Sequence, residues 1–392
     1  MLAYVGSPMT RPSPASPAHV LVIVGTRPEA IKLAPVVRAL RDGGWATVTV
    51  LDTGQHHELA GRALAAVDVP ADVAIALTRT DHSLTELATE LLRGIDGVLA
   101  GAGADAVVVQ GDTTSALSGA LAAFHRGIPV AHVEAGLRSG DPRTPFPEEA
   151  NRRMIATLAE WHFAPTERAR DNLLAEGIAP AAVTVSGNTI VDELQRTLAL
   201  PGGEPPHAPG RRPMLVTLHR RESLGAPLAG VLRAVGRIAD AHPDLDVWFP
   251  MHANPRVREP ARAALGDHPR VTLVDAADYP VFLRRLRHAD LVLTDSGGVT
   301  EEATELGVRT LVVRDRTERP EAVEAGVAGV VGTDEDALVA AAGEALALPP
   351  PPRGSGVFGD GRASERIAAA LRGGLRPASA VEVDERGILV ED

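Results

Sequence analysis

The chain has 392 residues, is 45% hydrophobic, contains no cysteine and carries a formal net charge of -12. That length exceeds one small core and favours two domains, and the absence of an 18-residue apolar run excludes a helical membrane span. Without cysteine there are no disulfides, thiolate metal sites or cysteine nucleophiles, and the acidic balance speaks against a nucleic-acid surface while leaving room for a local basic pocket for one small phosphorylated ligand.

Residues 1–18, MLAYVGSPMTRPSPASPA, have neither a charged n-region nor an apolar h-region. They read as a disordered leader and not an export signal, which leaves the protein in the cytoplasm. From His19, short β-branched runs alternate with Ala/Leu-rich amphipathic stretches, the signature of repeated βα units. The first expected strands are 19–25, 47–53, 106–112, 129–136, 161–165 and 183–188. The Pro/Gly-rich stretch 198–213 breaks the pattern and reads as a surface connection. Strands resume at 214–219, 246–252, 271–276, 291–296, 310–315 and 329–333, and a last helix, 363–375, is expected to return to the first domain. The fold class is α/β, with two doubly wound domains facing a cleft. The expected division is 19–187 plus 364–392 for the N-terminal domain and 188–363 for the C-terminal one.

Ligands of open parallel sheets bind outside the carboxyl ends of the strands. Polar signals recur at those ends: GTRPEAIK, TGQHHE, GDTTS and EAGLRSG in the first half, HRRES, MHAN, DSGG and RDRTERPE in the second. Eight such loops point to one shared cleft. In TDSGGVTEEA, Ser296, Gly297 and Gly298 open a helix whose free N–H groups and positive dipole end suit a phosphate, although a Ser-capped turn explains the same residues. Glu302, one turn on, is placed to reach ribose hydroxyls, whereas Glu301 reads as a solvated helix-start glutamate. Arg319 or Arg314 of RDRTERPE suits bidentate contact with the same phosphates.

On the opposite wall, GTRPEAIK brings Arg27 and Lys32 to a helix start, without the further glycines of a dinucleotide fingerprint, so a nicotinamide enzyme is disfavoured. His219 ends a buried strand and, taken alone, reads as a structural hydrogen-bonding residue. The QHH run, Gln55, His56 and His57, has no carboxylate partner at ligand spacing, and no metal is expected.

The stretch HVEAGLRSGDPRTPFPEEANRRM crowds acids together. Asp112 and Glu134 end neighbouring strands, and Glu148 starts a helix whose Ala150, Met154, Ile155 and Leu158 are expected to pack. Glu149 reads as a favourable N-terminal charge on that helix, and Arg138, Arg143 and Arg152 as countercharge. Carboxylates sharing a cleft raise each other's proton affinity, which suits one as acid and another as base near neutral pH.

In this order and spacing, GTRPEAIK, GDTTS, HVEAGLRSGD, PFPEEANRR, HRRES, TDSGGVTEEA and RDRTERPEA resemble the non-hydrolysing UDP-N-acetylglucosamine 2-epimerase family, from about His19 to the end of the second domain. The resemblance implies two Rossmann-like domains in a GT-B-like arrangement, a homodimer, a UDP-sugar in the cleft, no cofactor, and interconversion of UDP-GlcNAc and UDP-ManNAc. It implies elimination of UDP to 2-acetamidoglucal and re-addition. Asp112, Glu134 and Glu148 match the family's essential acids, with Lys32 and His219 as further catalytic or diphosphate-side groups. Arg27, Arg152, Ser296, Gly297, Gly298, Glu302 and Arg319 match substrate-binding positions, and Phe282 a position near the uracil, where a core aromatic is the plainer reading. Acidic groups are expected about the hexose and basic groups about the diphosphate.

Bacterial members often hold a second UDP-GlcNAc as activator. Gln55, His56, Arg220 and His252 are candidate remnants of that site, but His57 stands where arginine is common, and Asp81 where a basic residue is common. Weakened or absent activation is therefore expected, and Thr300, where glutamine is usual, is a change without evident consequence. The rivals are a hydrolysing relative releasing ManNAc, a GT-B glycosyltransferase and a silent UDP-sugar binder.

Overall fold

The computed structural model describes residues 17–55, 57–80, 83–203, 210–220 and 224–375. Residues 1–16 of the stretch 1–18 that was read as a leader, His56, Asp81 and the residues after Leu375 lie outside the described residues, and Ala18 opens the first strand. In the first half, β1 (Ala18–Val24), β2 (Ala46–Asp52), β3 (Val73–Ala74), β4 (Ala106–Gln110), β5 (Val130–Val133), β6 (Trp161–Ala164) and β7 (Val183–Val185) form a parallel sheet ordered β3-β2-β1-β4-β5-β6-β7. The crossovers are α1 (Arg27–Asp42), α2 (His57–Ala66), α3 (Leu84–Ala102), α4 (Thr114–His125), α5 (Glu148–Leu158) and α6 (Glu167–Ala175), and α7 (Thr189–Ala199) follows β7.

The second half repeats the plan. Strands β8 (Arg212–Thr217), β9 (Leu245–Met251), β10 (Val271–Asp275), β11 (Leu291–Thr294), β12 (Thr310–Val312) and β13 (Ala328–Val330) are parallel in the order β10-β9-β8-β11-β12-β13. Helices α8 (Ala226–Ala241), α9 (Pro255–Leu265), α10 (Tyr279–Arg287), α11 (Gly297–Leu306), α12 (Pro320–Glu324) and α13 (Glu335–Ala347) connect and follow them, and α14 (Ala363–Leu375) closes the described chain. The expected α/β class and both doubly wound sheets are present. The two-residue strand β3 was not anticipated, since VA is too short to carry a periodicity.

Strand β1 shows why the sheets are buried on both faces. Val20, Val22 and Val24 pack with Leu33, Val36 and Leu40 of α1, while Leu21 and Ile23 join Leu91, Ile95 and Ala120 of α3 and α4. A strand covered on both sides has no reason to alternate with polar residues. One apolar cluster continues from α1 through Ile190 and Leu194 of α7 to Phe282 and Leu286 of α10, so α7 is packed against both halves. The terminal helix α14 lies on α1 and α7. Asp192 of α7 caps it, accepting from the Ala363 N–H at 3.2 Å, the Ser364 N–H at 2.8 Å and Ser364 Oγ at 2.6 Å.

Helix α5 corrects two expectations. Its buried side consists of Glu149, Asn151, Arg152, Ile155 and Ala156, and Met154 is exposed. Glu149 is wholly buried: it accepts the Ser139 N–H at 3.0 Å and pairs with Arg152 and Arg153 at 3.1 and 3.3 Å. It therefore anchors the approach loop, beyond the favourable N-terminal charge that was expected of it.

Candidate active site

The strand order reverses between β1 and β4 in one sheet and between β8 and β11 in the other. Helices leave on opposite sides at such a point and open a crevice at the strand ends. Arg27 and Lys32 follow β1 and Asp112 follows β4, while His219 follows β8 and Ser296 follows β11. Side chains from these ends meet directly, so the two crevices face each other.

Lys32 is at the centre. Its buried Nζ forms an ion pair with Glu134 and stands 2.8 Å from Glu301 Oε2 of the other half. Burial disfavours a charged ammonium, but the two carboxylates outweigh it and keep Lys32 protonated. Glu134 has a left-handed backbone, φ 64°, which is uncommon outside glycine and costs on the order of 1 kcal/mol or more. Asn188 Nδ2 donates to its carboxylate at 3.2 Å, and Arg319 Nη2 lies 3.6 Å away. Burial raises the Glu134 pKa, and the charge of Glu301 adds to the rise.

Glu301 was expected to be solvated, yet it is fully buried. Besides Lys32, it accepts from Arg319 Nε at 2.7 Å. Burial opposes its ionisation, but Arg319 and Lys32 prevail and lower its pKa. A helix-start glutamate faces water only if nothing docks on that helix end, and here α1 of the first half does.

Around Asp112 a second knot forms. Arg152 Nη2 lies 2.5 Å from Asp112 Oδ2 and 3.4 Å from Glu318 Oε1, and Arg220 Nη2 is 3.8 Å from the same Glu318 oxygen. Arg314 Nη1 completes Glu318 at 2.6 Å. Burial alone would raise Asp112, but Arg152, Arg220 and Arg319 lower it. Glu148 moves the other way: burial and the Asp112 charge both raise its pKa. The three expected carboxylates thus share one cluster while their proton affinities are pushed apart. The basic residues are interleaved with them rather than kept to a separate side.

At the start of α11, Ser296 caps the helix, its Oγ accepting from the Val299 N–H at 3.5 Å. Arg319 lies across Gly297 so closely that any Cβ there would collide with its guanidinium. Arg27, Tyr279 and Glu302 are neighbours, and burial lifts Glu302 to about 7 against the opposing effects of Tyr279 and Arg27. A cavity of about 440 Å³ lies beside them, lined by Arg27, Arg62, Met251, Asp278 and Tyr279. A larger open groove of about 1090 Å³ between α1, α7 and α14 contains none of the site residues. Phe282 is a core aromatic, its ring centroid 6.4 Å from that of Trp248.

The described candidates for a second ligand site are Gln55, Arg220 and His252. Gln55 Oε1 accepts from the Ser115 N–H and Oγ at 3.0 and 2.7 Å, which ties it to the start of α4. Arg220 belongs to the Asp112 cluster, and the His252 ring lies 6.1 Å from that of His219. Among the described residues no group of three or more His, Cys, Asp or Glu is arranged to hold a metal ion, and no helix is long and apolar enough to cross a membrane.

Sequence reasoning passed over Asp295, Glu318, Asn188 and Glu29. Asp295, Glu318 and Glu29 sit inside motifs already noticed, TDSGG, RDRTERPE and GTRPEAIK, and Asn188 ends the expected strand 183–188, so strand-end position was the available signal. Glu29 accepts from the Gly25 N–H at 2.9 Å and from Thr113 Oγ1 at 2.6 Å, tying the β1 loop to the residue after Asp112.

Residues 38–372 match the family model described as UDP-N-acetylglucosamine 2-epimerase. The chain belongs to the UDP-N-acetylglucosamine 2-epimerase family. Relatives in this epimerase family include the UDP-N-acetylglucosamine 2-epimerase of Escherichia coli K12, 41% identical over 368 residues, 90% of this chain and 98% of that protein. A probable UDP-N-acetylglucosamine 2-epimerase of Ralstonia nicotianae is 44% identical over the same shares of the two chains. The crystal structure of the Neisseria meningitidis UDP-GlcNAc 2-epimerase bound to UDP-GlcNAc superposes with a TM-score of 0.84 at 35% identity, covering 91% of this chain and 100% of that one.

Proposed function

We propose that this member of the family interconverts UDP-GlcNAc and UDP-ManNAc without hydrolysis, by elimination and re-addition of UDP. A carboxylate removes the proton at C2, the C–H electrons form the C1–C2 double bond, and the C1–O pair leaves with the diphosphate. The products at this stage are 2-acetamidoglucal and UDP. Return of a proton to the opposite face of C2 and attack of the diphosphate oxygen at C1 give the epimer. The observation that carries the reading is the arrangement of the three carboxylates: Arg152 stands 2.5 Å from Asp112 and lowers its pKa, burial raises those of Glu134 and Glu148, and Lys32 and Arg319 lie between Glu134 and Glu301 of α11.

In this reading Glu134 and Glu148 carry protons on the two faces of C2, and Asp112 stays charged to stabilise positive character at C1. Lys32 and Arg319 exchange carboxylate partners for diphosphate oxygens. Arg319 Nη1 is buried without a hydrogen bond and is a ready donor for them. Once these cations turn to the phosphate, Glu134 loses countercharge and becomes a stronger base as substrate arrives. Arg27, Ser296, Gly297, Gly298 and Glu302 hold the nucleotide, and Arg152 orients Asp112. His57 and Asp81, standing where basic residues are common in the family, support weakened activation by a second substrate molecule, for which hyperbolic kinetics is the expected result. The division at 187/188 and 363/364 and assembly as a homodimer belong to the same proposal, the latter measurable by sedimentation.

Incubation with UDP-GlcNAc in D2O, followed by NMR, tests the reaction. The expected outcome is UDP-ManNAc with deuterium at C2. Free ManNAc would assign the hydrolysing reaction, and absence of both exchange and epimer would end the proposal.

A further inference from the structure

We propose that Asp295 is a positioning residue for His219: it fixes the Nδ1–H tautomer of the imidazole and so presents Nε2 to the crevice beside the phosphate loop. This deepens, and rests on, the proposed epimerase reaction, with His219 taken as the further catalytic or diphosphate-side group that the family resemblance implies.

Asp295 directly follows β11 and immediately precedes Ser296, the cap of α11. Strand β11 is hydrogen-bonded to β8, with Thr294 in register with Thr217 and their hydroxyls 2.5 Å apart. The register brings Asp295 alongside the start of the HRRES loop. Its wholly buried carboxylate accepts the His219 N–H at 2.9 Å and the Arg220 N–H at 2.9 Å, both on Oδ2, while Oδ1 stands 2.9 Å from His219 Nδ1. Ring and backbone of the same histidine are thus held by one side chain.

A turn whose only need is two satisfied N–H groups is served by a neutral cap such as serine or asparagine. A buried carboxylate costs more, and what it adds here is an acceptor for Nδ1–H. Burial opposes its charge, but His219 and the two backbone N–H groups lower the Asp295 pKa. When Nδ1 donates to a carboxylate, Nε2 is the ring nitrogen left to meet a ligand. The His219 side chain is 36% exposed although its Nδ1 is held by the buried carboxylate. The chain runs from Asp295 straight into the phosphate loop, so one residue sets the distance between the imidazole and the place where the diphosphate departs.

The tautomer is read from long-range 1H–15N correlations of histidine-labelled protein at pH 8, where an ordinary imidazole is neutral. Wild type is expected to carry the His219 proton on Nδ1. In Asp295→Asn the amide can turn an N–H toward Nδ1, and the proton is expected to move to Nε2. The same variant should lower kcat on the order of 100-fold or more, with UDP affinity kept within about 3-fold. His219→Gln should cost a similar factor, and the double variant no more than the worse single one.

A wild-type ring protonated at Nε2 overturns the proposal, as does a double variant in which the two losses multiply. The wild-type spectrum needs no substitution, so it decides the matter even if Asp295→Asn fails to fold. It needs no turnover either: a protein without epimerase activity but with the Nδ1–H tautomer would remove the reaction assigned above and leave the Asp295–His219 pairing intact.

Discussion

Glu148 and Asp112 are both carboxyl groups near Arg152, yet they are pushed in opposite directions. Asp112 has the guanidinium at 2.5 Å, whereas Glu148 experiences burial and the Asp112 charge ahead of any cation. Glu148→Gln keeps the shape and removes the proton carrier. Turnover is expected to fall by about 100-fold or more while UDP binding by calorimetry stays near wild type; a loss confined to binding would contradict the role. Glu29 offers a second test, on stability. Burial raises its pKa to about 7 from an ordinary 4.5. A raised folded-state pKa contributes stability that is complete below the unfolded value and is lost as pH rises through the folded one. Glutamine at this position cannot ionise, so Glu29→Gln should gain on wild type by about 1 kcal/mol between pH 6 and pH 8 in denaturant titrations. A difference independent of pH would show that Glu29 is ionised throughout.

Helix α14 depends for its place on a residue 171 positions earlier. Asp192 satisfies two backbone N–H groups and a hydroxyl at its start, and Ile367 and Leu371 bury its inner face against α1 and α7. Asp192→Ala orphans those donors together. The expected cost is about 2 kcal/mol, with faster hydrogen exchange concentrated in residues 363–375. Exchange that rises evenly over the whole molecule would mean that α14 is not a separable element. The motif loops follow a similar logic of cross-linking. Glu29 ties Gly25 to Thr113, and Asp295 ties His219 to the start of α11, so loops from non-consecutive strands move as units.

Across the whole molecule the two halves are joined by opposite charges. Lys32 reaches Glu301, Arg319 reaches Glu134, and Arg152 reaches Glu318, each pair spanning the crevice. Removing one member leaves the buried charges of its partners less well compensated, at a cost on the order of 1 kcal/mol or more where, as for Lys32 and Arg319, other carboxylates remain. Glu301→Gln should therefore lower the melting temperature of the ligand-free protein. Saturating UDP should restore more stability to this variant than it adds to wild type, because the diphosphate supplies Lys32 and Arg319 with the countercharge they lack. Equal increments from UDP would refute the idea that the phosphate and the carboxylates compete for the same cations.

The amino-acid sequence by itself determined the repeated βα plan, because strands covered on both faces must be apolar throughout and their boundaries are marked by glycine, proline and polar runs. It also determined which loops converge, since position at a strand's carboxyl end follows from the fold class; Asp112 and Glu134 were legible on that ground, and Lys32 and Glu148 as residues of the helix starts that follow. Tertiary structure alone decided what each loop residue faces. Glu301 and Glu302 are adjacent at one helix start: the first meets Lys32 and Arg319, the second Tyr279 and Arg27. Met154 fits an apolar helical stripe but points outward, while its neighbour Arg152 is buried by partners that lie 40 residues before it and 166 after it in the chain. Periodicity records how a helix is coloured; only the packed partner fixes which charge loses its water, and with that loss come the shifted proton affinities on which the proposed chemistry depends.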